Sequence, residues 1–364
     1  MRSGPRWGSR RSTIGSRRAH QVFGLASVMV ALRVHTVRPS SVGASVSAPT
    51  CRLEGMQEIA PGILQLDTLL GGMDQMTAGF LIVGPQPALV ETGSQSSAET
   101  VRDELERAGV GATDLRWIIV THIHLDHAGA VGDIAKAFPE ATVVVHEQGA
   151  RHLVDPSRLI DSASRVYGPL LDGLYGRMLP VPEDRVIAAA GGHRVDIGGG
   201  RALLMVDSPG HAKHHHAVLD EHTGTLMVGD AVGVKLPGVG ELRPATPPPD
   251  FDLELATNSL RTFRELHPSQ VVLTHYGSVP QPDETLVEAE DMLNRWVQVA
   301  ESTLREAEAS GVDGVAAAFA DAFATPRDEL KPDALKKFEV LNGVHSNAAG
   351  IVRYLRRRSA VTLE

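Results

Sequence analysis

Four side chains of metal-ligand type fall within six positions of the segment VTHIHLDHAGA, residues 120–130: His122, His124, Asp126 and His127. The segment follows an apolar run, RWIIV, and leads through Gly129 into a helical pattern, so the cluster sits where a strand ends and the chain turns. Zinc takes four ligands at ~2.0–2.2 Å, and four donors so close along one chain reach a single ion only with strain. Two adjacent ions are the natural solution, and they require further ligands behind other strands. Three are present. His211 lies in a Gly-Pro turn after ALLMV, Asp230 follows TLMVG, and His275 follows VVLT.

The rest of the pattern says what holds these strand ends together. Short apolar runs at 79–84, 88–92, 116–121, 142–146, 202–206, 216–220, 225–229 and 271–274 read as strands. Helical spacings lie between several of them, as in SSAETVRDELERAG, AVGDIAKAFPE and DLELATNSLRTFRELHP. Strands that first pair closely and then alternate with helices predict an α/β sandwich with helices outside two sheets. Residues 148–180, with Tyr167, Leu170, Leu171, Leu174 and Tyr175, have helical spacing and are expected to form a lid. Beyond residue 282, apolar residues from Leu286 to Leu304 recur every three or four positions, and three shorter helical patterns follow. The expected organisation is an extension over 1–55, a catalytic domain over 56–282 and a helical region over 283–364.

Composition narrows the chemistry. Cys51 is the only cysteine, which excludes an internal disulfide framework and any thiolate-rich metal site. Residues 1–53 carry nine arginines and no acid, which leaves the remainder 26 basic against 44 acidic residues, a net of −18. So acidic a body argues against a nucleic-acid partner. The first 55 residues read as a disordered or targeting extension. Their apolar run, Val22 to Leu32, is far short of the ~20 residues that span a bilayer. The default location is cytoplasmic; the alternative is export or organelle targeting through this basic segment.

The ordered motifs ALVETG, THIHLDHAG, SPGHAKHHH, GDAVG and THYG resemble those of the metallo-β-lactamase-fold metallo-hydrolase superfamily, in its glyoxalase II-like dinuclear zinc form. The resemblance covers roughly residues 57–280. It implies a four-layer αββα sandwich, here with a helical C-terminal extension. It also implies two Zn²⁺ ions, with His122, His124 and His211 holding the first, Asp126, His127 and His275 the second, and Asp230 bridging them. The expected reaction is hydrolysis of an ester, thioester or lactone-type bond in a small-molecule or acyl substrate by a hydroxide between the ions, with Asp126 orienting it and passing on a proton. The alternative is a mononuclear Fe²⁺ oxidoreductase like the superfamily's persulfide dioxygenases; a non-catalytic binding protein is a third reading. Glu91 stands where the superfamily usually has aspartate; it either orients a ligand histidine or faces solvent at a strand end. His215 is read as pocket-lining or surface, His214 and His216 as surface, and His146 as structural. His152, His193, His222 and His267 are read as surface or turn residues. Near the C terminus, Asn347 or Ser346 is expected to cap a helix beside His345. Tyr276 faces either the pocket or the core.

Overall fold

The computed structural model describes residues 56–239, 241–279, 281–306, 311–323 and 333–362. The expectations for residues 1–55 lie outside them. Among the described residues, thirteen strands form two sheets. The first runs in sequence order: β1 (Met56–Ala60), β2 (Ile63–Asp67), β3 (Ala78–Ile82), β4 (Ala88–Val90), β5 (Trp117–Ile119), β6 (Thr142–His146) and β7 (Val186–Ala189). It is antiparallel as far as β4 and parallel from there. In the second, β8 (Arg194–Asp196), β9 (Ala202–Asp207), β10 (His216–Asp220) and β11 (Thr225–Met227) form an antiparallel ladder. Next come β12 (Gln270–Leu273), parallel to β11, and β13 (Gly277–Val279).

Alternation along each strand builds the layers. Ile63, Phe80, Ile82, Val90, Ile119 and Val144 of the first sheet meet Leu203, Met205, Val218, Met227 and Val272 of the second. The neighbouring residues point the other way. Leu81, Leu89, Ile118 and Val143 pack on Val101 and Leu105 of α1 (Ala98–Arg107), beside α2 (Leu125–Ala128), and on Val131 and Ile134 of α3 (Val131–Ala137). Residues 148–180 form α4 (Glu147–Val154), α5 (Ser157–Tyr167) and α6 (Leu170–Leu174). On the far side, Leu226, Val271 and Leu273 pack on Leu260 and Phe263 of α7 (Leu253–Glu265) and on Leu286, Leu293 and Trp296 of α8 (Pro282–Glu306). The same core takes in Phe319 of α9 (Gly311–Ala322) and Ile351 of α11 (Val344–Thr362), while α10 (Ala334–Asn342) covers a smaller cluster around Val234 and Leu236. The result is the four-layer αββα sandwich with a helical C-terminal region. No helix among the described residues is long and apolar enough to cross a membrane.

Five strands lacked a clear signal in the sequence. β1, β7, β8 and β13 are sheet edges, short and only partly apolar, because one side of an edge pairs with nothing. β2, in contrast, is nearly all buried, but polar Gln65 and Asp67 interrupt its apolar run.

Candidate metal centre

The seven ligand-type residues come from strand ends brought to one edge. His122 and His124 lie in the loop after β5, and Asp126 and His127 on the single turn of α2. His211 follows β9, Asp230 follows β11 and His275 follows β12; these three strands run in one direction, so their C-terminal ends coincide. Gly210 permits this. Its φ of +137° and a would-be Cβ only 2.4 Å from the backbone of Ala256 leave no room for a side chain where α7 crosses the loop.

The donor atoms converge in two groups. His124 Nδ1 is 3.0 Å from both His122 Nε2 and His211 Nε2. His127 Nε2 and His275 Nε2 are 3.1 Å apart, and Asp126 Oδ2 is 3.5 Å from the latter. Asp230 stands between the groups, with Oδ2 3.5 Å from His211 Nε2 and Oδ1 3.3 and 3.2 Å from His127 and His275. Ligands of a tetrahedral ion at ~2.0–2.1 Å lie ~3.3 Å from one another, so these separations suit two ions sharing Asp230.

Hydrogen bonds behind the rings point the same way. His211 Nδ1 donates to the carbonyl of Ala245 at 2.9 Å and His275 Nδ1 to that of Met76 at 2.7 Å. Each ring therefore turns an Nε2 lone pair, an acceptor, into the cluster. Acceptors facing acceptors, with the buried Asp230 Oδ1 lacking any hydrogen-bond donor, make a site suited to cations. The residues present fit two divalent ions.

Electrostatics divide the site. Burial, then the neighbouring His127 and His124, push His122 well below its usual pKa, and burial with His211 and His214 does the same to His124. Both are neutral donors at pH 7, the form that binds metal. Burial opposes charge on His127 and His275 too, but Asp230 with Glu91 and Asp126 holds His127 well above its usual value, and Asp230 holds His275 above. Burial would raise Asp230, yet His127, His275 and His211 keep it well below the ordinary carboxylate range.

Several supporting residues depart from expectation. Glu91 is fully buried rather than solvent-facing, with Oε1 3.4 Å from His127 Nδ1 and from the amide of Thr121. His214, His215 and His216 are not surface residues: all three are buried, His214 beside Gly149 of α4. His215 accepts from the amide of Asp230 at 3.3 Å and bonds Ser208 Oγ at 2.8 Å, which steadies the backbone of Asp230. His216 donates from Nε2 to the carbonyl of Val120 at 3.0 Å. His146 is buried beside Asp207. His222 and His267 are exposed, and His152 and His193 half-buried. Asn347 caps no helix: α11 starts earlier, at Val344, and Asn347 Oδ1 accepts from the amide and hydroxyl of Thr246. His345 is half-exposed and pairs with Asp313, and Tyr276 packs into the core between the sheets. The carbonyls of Ala245 and Met76 were missed altogether, since a backbone acceptor has no signature in the sequence.

Two buried histidines outside the ligand set give a pH dependence. Burial lowers His214 to about 4, against the pull of Asp250, and burial with His146 lowers His216 to about 3. Above pH 6.5 both are neutral whether folded or not. Below it the unfolded chain gains protons that the folded chain refuses, so stability falls as pH drops, by up to ~1.4 kcal/mol per unit per histidine. Thermal unfolding of chelator-treated protein at pH 7.5 and 5.0 should show His216→Gln losing about 2 kcal/mol less than wild type. Equal losses would contradict a neutral buried His216.

Comparison with known proteins was made with this geometry in hand. The sequence model of the metallo-beta-lactamase superfamily matches residues 76–275. The chain is 33% identical over 168 residues to a metallo-beta-lactamase fold-containing protein of Sulfurisphaera tokodaii, covering 45% of this chain and 62% of that one. It is 24% identical over 176 residues to the N-acyl homoserine lactonase AttM of Rhizobium radiobacter, covering 48% and 62%. The alignments thus span less than two thirds of these two relatives. Among solved structures, an archaeal metallo-beta-lactamase superfamily protein from Sulfolobus tokodaii matches with a TM-score of 0.50 at 26% identity, covering 61% of this chain and 81% of that one. A metallo-beta-lactamase family protein from Thermus thermophilus matches in fold with a TM-score of 0.56 at 19% identity, covering 83% and 96%.

Proposed function

Because this chain belongs to the metallo-beta-lactamase superfamily, we propose that it is a dinuclear zinc hydrolase acting on an ester, thioester or lactone-type bond. One observation carries the reading: Asp230 turns one carboxylate oxygen to each of two donor groups. His122, His124 and His211 would hold one ion and Asp126, His127 and His275 the other, with Asp230 shared. Ions bound there supply Lewis acidity, acidifying water and polarising a carbonyl oxygen.

The chain's own groups do the rest. Met76 and Ala245 fix the tautomers of His275 and His211 through their carbonyls. Glu91 lies behind His127, and His215 anchors the backbone of Asp230. Asp126 has a partly exposed side chain, 15% accessible against 9% or less for its partners His127, His275 and Asp230. With Oδ2 turned to His127 and His275, its Oδ1 is the atom to take a proton from attacking water and hand it to the leaving group. The lactonase among the sequence relatives supports including lactones in the substrate range.

Zinc-loaded protein assayed against 4-nitrophenyl acetate, an acyl thioester, an N-acyl homoserine lactone and a β-lactam tests this. Turnover of an ester, thioester or lactone should disappear on chelation and return with zinc. Full metal loading with no hydrolysis of any of them would contradict the proposal.

A further inference from the structure

Asn347, expected from the sequence to cap a helix, is instead buried within α11 at 1% exposure, and the chemistry above gives it no task. Its Oδ1 accepts from the amide of Thr246 at 2.7 Å and from the Thr246 hydroxyl at 2.8 Å. The Thr246 amide belongs to the same peptide group as the carbonyl of Ala245, which accepts from His211 Nδ1 at 2.9 Å. A peptide group is planar and trans, so its N–H and C=O point in opposite directions. Asn347 and His211 therefore grip the two ends of one rigid plate.

The neighbouring peptide is held in the same way. Asn342 Nδ2 donates to the carbonyl of Pro244 at 3.1 Å, and Asn347 Nδ2 donates to Asn342 Oδ1. These partners leave each side-chain amide one orientation. The Pro244 carbonyl can only accept and the Thr246 amide only donate, so Asn342 presents its nitrogen and Asn347 its oxygen. What remains, a donor on Asn347 and an acceptor on Asn342, is complementary. Asn342 is 6% exposed and Thr246 is fully buried. Helix α11 itself presses on the loop, since a Cβ on Gly350 would lie 1.8 Å from the carbonyl of Thr246. The loop has few donors of its own, because Pro244, Pro247, Pro248 and Pro249 carry no amide hydrogen.

Anchoring α11 does not require these groups. Ile351, Val352 and Leu355 already bury it in the apolar core with Trp296 and Phe319. A buried polar network offsets its desolvation only when every group is matched, and it then fixes a geometry that apolar packing leaves loose. Here it fixes two consecutive peptides, and the second carries the acceptor that orients His211. The bond to Asn347 also polarises that peptide, which makes the Ala245 carbonyl a stronger acceptor and the His211 ring a better electron donor.

We infer that Asn347, braced by Asn342, is a positioning residue of the metal centre. It fixes the Ala245–Thr246 peptide and through it the His211 ring, so the helical C-terminal region sets how tightly the ion of His122, His124 and His211 is held. The inference rests on the metal-centre part of the reading above and not on which bond is hydrolysed.

Zinc titrated against a chromophoric chelator, on full-length protein first stripped of metal, tests it without any substrate. Asn347→Leu, close in size, should weaken binding of one zinc equivalent about tenfold, the low end of the cost of losing a ligand's outer partner. Asn342→Ala leaves Asn347 facing Thr246 without its brace. It should weaken the same equivalent about threefold, and it decides the matter if Asn347→Leu fails to fold. Leu355→Ala loosens the same helix away from the network, so it should lower the unfolding temperature and leave zinc affinity unchanged. Affinity that is unchanged in both asparagine variants, or weakened as much in Leu355→Ala, overturns the inference, as does a wild type that binds no zinc. Failure of the hydrolase reading would look different: the wild type loads with zinc and turns over no substrate, while affinity still separates Asn347→Leu from Leu355→Ala.

Discussion

Asp230→Ala should cost the protein most of its bound metal and at least ~10³-fold in turnover, with both sheets still folded. Changes to groups that merely orient a ligand already cost ~10–100-fold, and Asp230 stands within 3.5 Å of donors in both groups. Its removal leaves His122, His124 and His211 on one side and Asp126, His127 and His275 on the other with nothing shared. It also removes the acid that holds His127 and His275 above their usual values. Asp230 follows β11 in a loop and contributes no apolar packing, so circular dichroism of the metal-free variant should match that of metal-free wild type. Elemental analysis and assay of the variant check the first part. Full activity with full metal content would refute a shared carboxylate.

Trp296→Ala should destabilise the fold by about 3–5 kcal/mol and lower the unfolding temperature by about 10 °C. Trp296 is fully buried in α8, 4.4 Å from the ring of Phe319 and stacked at 4.8 Å on Phe323. The same cluster contains Leu226 and Val271 of the second sheet and Phe263 of α7. Emptying that position opens a cavity between the sheet and the C-terminal helices, which close-packed neighbours cannot fill. Thermal unfolding of the variant measures it. A fall of less than 2 °C would mean that α8 rests on the sandwich without supporting it.

The sequence made some of this plain and hid the rest, for physical reasons. The histidine cluster and the later His211, Asp230 and His275 were readable because each follows an apolar strand, and an ion gathers its ligands at strand ends where loops begin. The helices of residues 282–362 were readable from apolar residues recurring every three or four positions. Edge strands such as β8 and β13 were not, since they are three residues long and bury one face at most. The burial of Glu91 and of His214 to His216 was also hidden. Whether a polar side chain at a strand end faces water depends on what crosses it, which a local pattern does not encode. Asn347 misled for a related reason: its partner Thr246 is a hundred residues away in a proline-rich loop.

The most direct test of the central claim is elemental analysis of the wild-type protein purified without chelators, with Asp230→Ala alongside. The account predicts about two zinc ions per wild-type chain and a marked loss in the variant. A single iron per chain with oxygen consumption, or metal content unchanged by Asp230→Ala, would contradict it.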